Sequence, residues 1–411
     1  MVGILGIIVL LLIAYVCSEN RKLIKPLIVV RILALQVAIA VFALLTPVGG
    51  FLLSIMSAAV EQMVGYVAAG TGFMFGPLSD AGNGVVFFFQ ILPIIIFISA
   101  LFSCLFYLRI MDYIIRGIGG VMRWVTGASR LESTCAAANI FVGMAEAPLT
   151  ILPYLSKISR AQLFVMMSLG LSSVAGTVLV AYSALGIRAD LLITAAFMAA
   201  PGGLLMGRML VPEDGTPFDV DDADADFMDS HRAGSLVEAA TNGALVGLQI
   251  MLSVMAVLVA FLALIALLNG ILGGIGGLFG MPELSLEGIF SYLFRPIAWL
   301  IGVPWAESAQ AGVYLGEKVV LNEFLAYANF AGSMAEFSPQ GQIAITLALC
   351  GFANFGGLAI MLAGLSAVVP ERKTEISKLG LQAVLAGNLS NFMSAAIASV
   401  VLGLAALIGL G

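Results

Sequence analysis

The chain has 411 residues, of which 61% are hydrophobic and only 10% are charged. A soluble domain carries about 25% charged residues, so this composition excludes an ordinary soluble protein. Repeated apolar runs of about 20 residues instead predict a polytopic, all-α membrane protein. The formal net charge of −6 indicates little about partners, because much of the acidic character lies in one loop.

The first half of the chain contains five predicted membrane spans, at residues 2–17, 27–45, 85–108, 161–185 and 190–208. Between the second and third spans, Phe51–Ala69 is apolar but is expected to lie in the membrane interface. The loop after the first span carries Arg21, Lys22 and Lys25, whereas residues 46–107 contain no Lys or Arg. By the positive-inside rule, this loop is cytoplasmic and the N-terminus is outside.

A short segment at Ala136–Pro148 organises the rest of the chain. It is too short and too polar to span a bilayer, yet apolar sequence flanks it on both sides. Asn139 and Glu146 surround Gly143, which permits a sharp turn, and Pro148 blocks continuation of a helix. Because basic residues precede and follow it, we expect a re-entrant hairpin that enters and leaves on the cytoplasmic face. A carboxylate at this depth indicates a functional site.

The remaining soluble-looking segment is an acidic loop near the middle of the chain. It carries a row of aspartates, namely Asp219, Asp221, Asp222, Asp224, Asp226 and Asp229. The Gly and the terminal Glu of an EF-hand loop are missing, so we expect a solvated linker and no calcium site. His231, the single histidine, also lies here, which argues against a histidine metal site within the membrane. The cysteines show no CxxC spacing, so no zinc site or disulfide framework is expected.

The second half of the chain contains predicted spans at residues 235–268, 342–369 and 379–408, and an interfacial segment at 284–300. A second hairpin is expected at residues 307–331, with Asn322 and Glu323 near its tip. The span at 342–369 is interrupted near Asn354–Gly357, and the fourth span carries Ser172–Thr177 at its middle. Interrupted apolar segments in both halves predict an inverted repeat with a transport site at its interface.

The resulting topology has eight spans, two re-entrant hairpins and both termini outside. All but three of the 18 Lys and Arg residues then fall on the cytoplasmic side, the exceptions being Arg188, Arg295 and Lys318. We expect such a protein in the cell's inner (plasma) membrane.

The motifs of this chain resemble those of the concentrative nucleoside transporters, from the loop that begins at Ser18 to Asn391. The motifs that carry the resemblance are Ala138–Gly143, Glu146–Pro148, Ala199–Gly203, Gly302–Trp305, Asn322–Phe324 and Ala348–Asn354. The resemblance implies a homotrimer in which a transport domain moves against a scaffold like an elevator. It also implies no cofactor and no enzymatic activity, with the sodium ion as the coupling ion.

On this resemblance, the chain divides into six segments. They are 1–84 (peripheral spans 1 and 2 and the interfacial helix), 85–130 (scaffold span 3 and a basic cytoplasmic segment), 131–208 (first hairpin with spans 4 and 5), 209–234 (acidic cytoplasmic loop), 235–305 (scaffold span 6 and the interfacial segment) and 306–411 (second hairpin with spans 7 and 8). The hairpins and their following spans would form the transport domain.

The resemblance also implies a sodium site. Its ligands would be the Asn139 side chain, the Val142 carbonyl, Ser173 and the Val174 carbonyl. Hard cations prefer oxygen ligands, and an unwound helix frees backbone carbonyls for this purpose.

Residues that would bind a nucleoside follow from the same resemblance. Glu323 and Asn354 would contact the ribose, because a carboxylate accepts strong hydrogen bonds from sugar hydroxyls. Glu146 would help to hold the base or its water, and Phe352 would pack against the substrate.

Three positions depart from the pattern of the family. Met144 and Ala145 replace a Gln and a Thr or Ser that read the edge of the base, and Gly357 replaces a serine that follows Asn354 by three residues. Met and Ala lack useful donors and acceptors, so we expect looser discrimination between bases.

Four hypotheses about the function follow from these residues. The first is a sodium-coupled nucleoside importer, and the second is a proton-coupled nucleoside carrier that uses Glu146 or Glu323 as the protonation site. The third is a relative that transports a different polar solute. The fourth, an intramembrane enzyme with Glu146 and Glu323 as an acid–base pair, lacks an identifiable nucleophile or metal. The expected partners are the lipid bilayer, a nucleoside and two further copies of the chain, with no nucleic acid.

Overall fold

The computed structural model describes residues 2–79, 87–144, 146–219, 233–281 and 283–407, with only the backbone described at Leu149. Throughout this part of the chain the secondary structure is helical, which confirms the predicted all-α class. The α-helices are α1 (Val2–Val16), α2 (Pro26–Leu45), α3 (Pro47–Phe75), α4 (Phe87–Gln90), α5 (Ile94–Tyr107), α6 (Ile110–Thr126), α7 (Arg130–Ala138), α8 (Arg160–Ser172), α9 (Gly176–Ala184), α10 (Ala189–Leu210), α11 (Leu236–Leu278), α12 (Leu286–Leu300), α13 (Ser308–Val320), α14 (Glu323–Ser333), α15 (Pro339–Leu349), α16 (Phe355–Val368) and α17 (Lys373–Leu407). Short 3₁₀ helices lie at Arg21–Leu23, Gly76–Ser79, Ala147–Tyr154, Met334–Glu336 and Pro370–Arg372.

Seven helical segments of the described chain are long and apolar enough to cross a membrane. They are Pro26–Leu45, Pro47–Ser79, Phe87–Tyr107, Arg160–Ala184, Ala189–Leu210, Leu236–Leu278 and Pro370–Leu407. The apolar helices α1 and α16 are shorter. The segment predicted to lie in the interface is therefore a 29-residue helix, α3, whose length and composition also fit a span.

Two helices are longer than the sequence predicted. Helix α11 has 43 residues and continues through the glycine-rich stretch beyond residue 268, where no proline interrupts the helix. Helix α17 begins at Lys373 rather than at 379, because the basic stretch after Pro370 forms the first turns of the helix.

Each half of the chain contains a helical hairpin followed by an interrupted helix. The first hairpin consists of α7 and the 3₁₀ helix Ala147–Tyr154, and it begins with a capping box formed by Ser129 and Glu132. The second hairpin consists of α13 and α14. In the first hairpin, Pro148 lies in the first turn of the 3₁₀ helix, where a missing backbone N–H is tolerated. The glycines that adopt a positive φ do not include Gly143, so its turn needs no left-handed conformation.

The two interrupted helices lie against the long helix α17. A break at residues 173–175 separates α8 from α9, and a break at residues 350–354 separates α15 from α16. Helix α17 packs against α8, α10 and α15, and its middle turns are buried. Nearly all of α8 is buried as well. The two breaks, whose backbone groups lack helical partners, are thus held inside protein, as a membrane-embedded chain requires.

Candidate functional site

The tip of the second hairpin presents a buried carboxylate to both interrupted helices. Asn322 caps α14 by accepting a hydrogen bond from Leu325 N at 2.8 Å, which places Glu323 in the first turn. Glu323 Oε1 accepts from the Tyr182 hydroxyl at 2.9 Å, and Glu323 Oε2 accepts from Asn354 Nδ2 at 2.6 Å. Tyr182 lies on α9 and Asn354 lies at the break before α16. Glu323 is 5% exposed, and both donors fix the orientation of its carboxylate.

Asn354 reaches Glu323 because its other amide atom caps a helix. Its Oδ1 accepts from Gly357 N at 2.7 Å, so Asn354 begins α16 and its Nδ2 points toward the hairpin. A Cβ atom on residue 357 would lie 2.1 Å from the backbone oxygen of Phe352. A serine therefore cannot replace Gly357 without movement of the backbone. The tight turn at this break explains why glycine, and not the serine of the family pattern, occupies position 357.

Phe352 joins the two interrupted helices directly. Its backbone N–H donates to Ser173 O at 3.2 Å, so the second break is hydrogen-bonded to the first. The phenyl side chain is only partly buried and packs beside the core. The predicted nucleoside-contacting residue and a predicted sodium ligand are therefore adjacent through the backbone.

The tip of the first hairpin is held by a local contact. Glu146 Oε2 accepts from Gly143 N at 2.8 Å, which closes the turn between α7 and the 3₁₀ helix. Met144 is 7% exposed and lies against Gly170, where an added Cβ would come within 2.9 Å of Met144 Cβ. Ala145 lies outside the described residues.

The predicted sodium ligands lie where the tip of the first hairpin meets the first break. Ser173 Oγ donates to Asn139 O at 2.7 Å and lies 3.3 Å from Val174 O, so these three residues meet. Asn139 is 1% exposed, and its Oδ1 atom has no hydrogen-bond partner although it is buried. Val142 is also buried, and its neighbour Phe141 accepts through its backbone oxygen from Gly176 N at 3.0 Å.

The unpartnered Asn139 amide oxygen fits the role of a cation ligand. A buried polar atom without a partner costs free energy, which a cation ligated at that oxygen would recover. The oxygens gathered there are amide, hydroxyl and carbonyl groups, all neutral. Among the described residues no group of three His, Cys, Asp or Glu side chains is arranged to hold a metal. A neutral set of oxygens suits a monovalent cation better than a divalent one, which prefers carboxylates.

Four polar residues of the site were not assigned a role by the sequence. They are Tyr182, Lys318, Asn388 and Asn391. Lys318 is fully buried, and its Nζ donates to Asn388 Oδ1 at 2.6 Å and to Asn391 Oδ1 at 2.9 Å. The available signals were the violation of the positive-inside pattern by Lys318 and the spacing of the two asparagines, which places them on one face of a helix. Tyr182 gave no such signal.

Three family models match the chain in sequence order. The model described as "Na+ dependent nucleoside transporter N-terminus" matches residues 5–78, the model described as "Nucleoside recognition" matches 88–188, and the model described as "Na+ dependent nucleoside transporter C-terminus" matches 191–399. The matches therefore include both hairpins and both breaks.

Whole-chain relatives and solved structures agree with these matches. The chain is 46% identical to an uncharacterised transporter, YutK, of Bacillus subtilis, over 96% of this chain and 98% of YutK. It is 41% identical to the nucleoside permease NupC of Helicobacter pylori, over 98% of both chains. The structure of CNTnw in an inward-facing substrate-bound state matches with a TM-score of 0.93 and 42% identity, over 98% of this chain and 99% of that one. Outward-facing and intermediate structures of CNTnw variants match almost equally well, with TM-scores of 0.93 and 0.92.

Proposed function

Because the chain belongs to the Na⁺ dependent nucleoside transporter family, we propose that it imports nucleosides by alternating access, driven by a sodium gradient. The observation that carries this proposal is the Glu323 carboxylate, held by Tyr182 and Asn354 where the second hairpin meets both interrupted helices. A fixed, buried carboxylate beside an amide can accept from one ribose hydroxyl while the amide donates to another. The carrier performs no covalent chemistry on its cargo.

The nucleoside binds between the two hairpin tips in this proposal. Glu323 and Asn354 bind the ribose, Phe352 packs against the substrate, and Glu146 contacts the base or a water bound to it. Met144, whose thioether is a weak acceptor, cannot read the edge of a base as an amide would. We therefore propose a broad base preference, to which Ala145 and Gly357 contribute through the absence of polar side chains.

Sodium is the second cargo. It binds to Asn139 Oδ1, a buried amide oxygen that has no hydrogen-bond partner, and to oxygens of Val142, Ser173 and Val174. Binding there fixes the backbone of the first break. Because Phe352 N donates a hydrogen bond to Ser173 O, the fixed backbone of the first break also restrains the nucleoside-binding residues of the second break.

The larger assembly is proposed on the same family basis. Three copies form a homotrimer, and the hairpins with their following helices move as an elevator against a scaffold. The protein lies in the plasma membrane with both termini outside. The buried polar core around α17 supports a transport domain that moves as one body, because its contacts would be costly to break within lipid.

The test is uptake of radiolabelled uridine and adenosine by purified protein in liposomes, with and without an inward sodium gradient. We expect concentrative uptake only with the sodium gradient. Glu336→Gln, an exposed change at the far end of the second hairpin, is the control and leaves uptake unchanged.

Other outcomes identify the competing functions. Uptake that a proton gradient drives equally well without sodium would assign the coupling to a carboxylate such as Glu146 or Glu323. Absence of uptake of either nucleoside, with the protein folded, would indicate a different polar solute. Either result contradicts the sodium-coupled nucleoside proposal.

A further inference from the structure

A lysine lies buried inside the second hairpin, where a charge is expensive. Lys318 is on α13, its side chain is 0% exposed, and its Nζ lies 5.4 Å from the centroid of the Phe392 ring. Its hydrogen bonds go to the side chains of Asn388 and Asn391 on α17. A buried ammonium in a membrane protein has a specific partner or a function, because desolvation otherwise destabilises it.

The ammonium determines which way the two asparagines face. Lysine only donates hydrogen bonds, so it selects the Oδ1 atom of each amide and turns each Nδ2 atom away. Asn388 Nδ2 then donates to Ala353 O at 2.8 Å, and Asn391 Nδ2 donates to Cys350 O at 2.8 Å. These carbonyls belong to the second break.

The same arrangement reaches the first break. Asn391 Nδ2 also donates to Ser172 O at 2.6 Å, at the end of α8. A Cβ on Gly351 would lie 2.2 Å from Asn391 Oδ1, so the glycine lets the asparagine enter the break. Backbone carbonyls without helical partners are thus satisfied by amides that one lysine orients.

Lys318 precedes Glu323, the carboxylate at the hairpin tip, by five residues. Glu323 begins the next helix, and an ammonium at Lys318 attracts a carboxylate at Glu323 through the low-dielectric interior. In a low-dielectric interior such a pair is much less costly than either charge alone.

We propose that Lys318 is a positioning residue of the nucleoside site: it orients Asn388 and Asn391, which hold both breaks, and it balances the charge of the Glu323 carboxylate. The expected effect of Lys318 on nucleoside binding rests on the proposed transport function. The expected effect of Lys318 on the charge of Glu323 does not depend on that function. Lys318 does not touch the cargo. It acts through the position of Asn354, Phe352 and Glu323.

The first experiment separates positioning from simple support of the fold. Lys318→Met removes the charge and the donors, and Lys318→Gln removes the charge but keeps an NH₂ donor. We expect the nucleoside KM to rise about tenfold or more for Lys318→Met, and less for Lys318→Gln, since methionine has no donor to orient the two asparagines whereas glutamine keeps an NH₂ group. Lys157→Met, at an exposed lysine, is the matched control and leaves KM unchanged. A lower Vmax with unaltered KM in both Lys318 variants would overturn the positioning role.

The second experiment needs no transport and tests the charge balance by thermal unfolding of purified protein. We expect Lys318→Met and Glu323→Gln each to lower Tm, and the double variant to lower it by less than the sum of the two losses. Additive losses would overturn the pairing. If wild-type protein transports neither nucleoside, the proposed function fails, whereas this unfolding cycle still decides whether Lys318 and Glu323 act together.

Discussion

The two hairpin tips carry the same type of residue but use it differently. Glu146 accepts a hydrogen bond from Gly143 within its own turn, so the contact closes the first hairpin locally. Glu323 accepts from Tyr182 and Asn354, which belong to two other parts of the chain. The first tip is therefore shaped by its own backbone, and the second tip is an anchor to which other elements are fitted.

This difference supports the proposal that the two cargoes bind in different surroundings. The carboxylate of the second tip meets hydroxyl and amide donors, which is the chemistry of a sugar. Beside the first tip, the buried Asn139 amide oxygen and the break at Ser173 offer neutral oxygens, which is the chemistry of a monovalent cation. The predictions below act on one tip at a time, from the largest expected effect to the smallest.

Glu323→Gln acts on the anchored tip and should have the largest effect. Glutamine keeps the size of the side chain but replaces one acceptor oxygen by a donor, which then opposes the Tyr182 or Asn354 donor. We expect kcat/KM for nucleoside uptake to fall about a hundredfold, because two charge-assisted hydrogen bonds are weakened. Uptake kinetics in liposomes measure this, and a loss of less than threefold in folded protein would contradict the anchor role.

Gly357→Ser tests whether the departure from the family pattern is a lost contact or a tight turn. Since a Cβ there would lie 2.1 Å from Phe352 O, we expect no gain in nucleoside affinity. Overpacking should instead lower Tm by about 5 °C or more. Gly332→Ser, on α14 with open space around it, is the control. Tighter nucleoside binding by a normally stable Gly357→Ser protein would refute the tight-turn explanation.

Asn139→Ala removes the unpartnered amide oxygen beside the first tip. We expect the sodium concentration for half-maximal uptake to rise about tenfold, equivalent to about 1.4 kcal/mol of lost ligation. At saturating sodium the nucleoside KM should return to near the wild-type value, which serves as the internal control. An unchanged sodium dependence would place the cation elsewhere.

Glu146→Gln acts on the locally closed tip and should have the smallest effect. The glutamine carbonyl oxygen can still accept from Gly143 N, so the turn persists with a weaker, uncharged hydrogen bond. We expect the nucleoside KM to rise about threefold. An effect as large as that of Glu323→Gln would show that the two tips are equivalent after all.

Local sequence features were sufficient to predict the all-α class, most helices and the interruption near Asn354. Apolar runs fix helices in a membrane, and polar or glycine residues within such runs mark interruptions. The ends were less predictable: α17 begins before its apolar run, because the basic segment after Pro370 also forms helix.

Contacts between distant elements could not be derived from spacing. Tyr182 reaches Glu323 only because α9 and α14 meet in the folded chain. A tyrosine within an apolar run of sequence does not indicate such a contact. The role of Gly357 was inferred from the side chain it lacks, whereas the structure shows the backbone oxygen that excludes one. Lys318 did stand out in the charge pattern, but its two asparagine partners became evident only from the packing of α13 beside α17.

The most direct test of the central claim is the affinity of wild-type protein for uridine, measured by calorimetry with sodium and with choline in its place. The account places the cation and the nucleoside on two breaks joined by the hydrogen bond between Phe352 N and Ser173 O. It therefore predicts a Kd lower by about tenfold in sodium, within the usual range of coupling free energies. An equal Kd in sodium and in choline would contradict the coupling of the two sites.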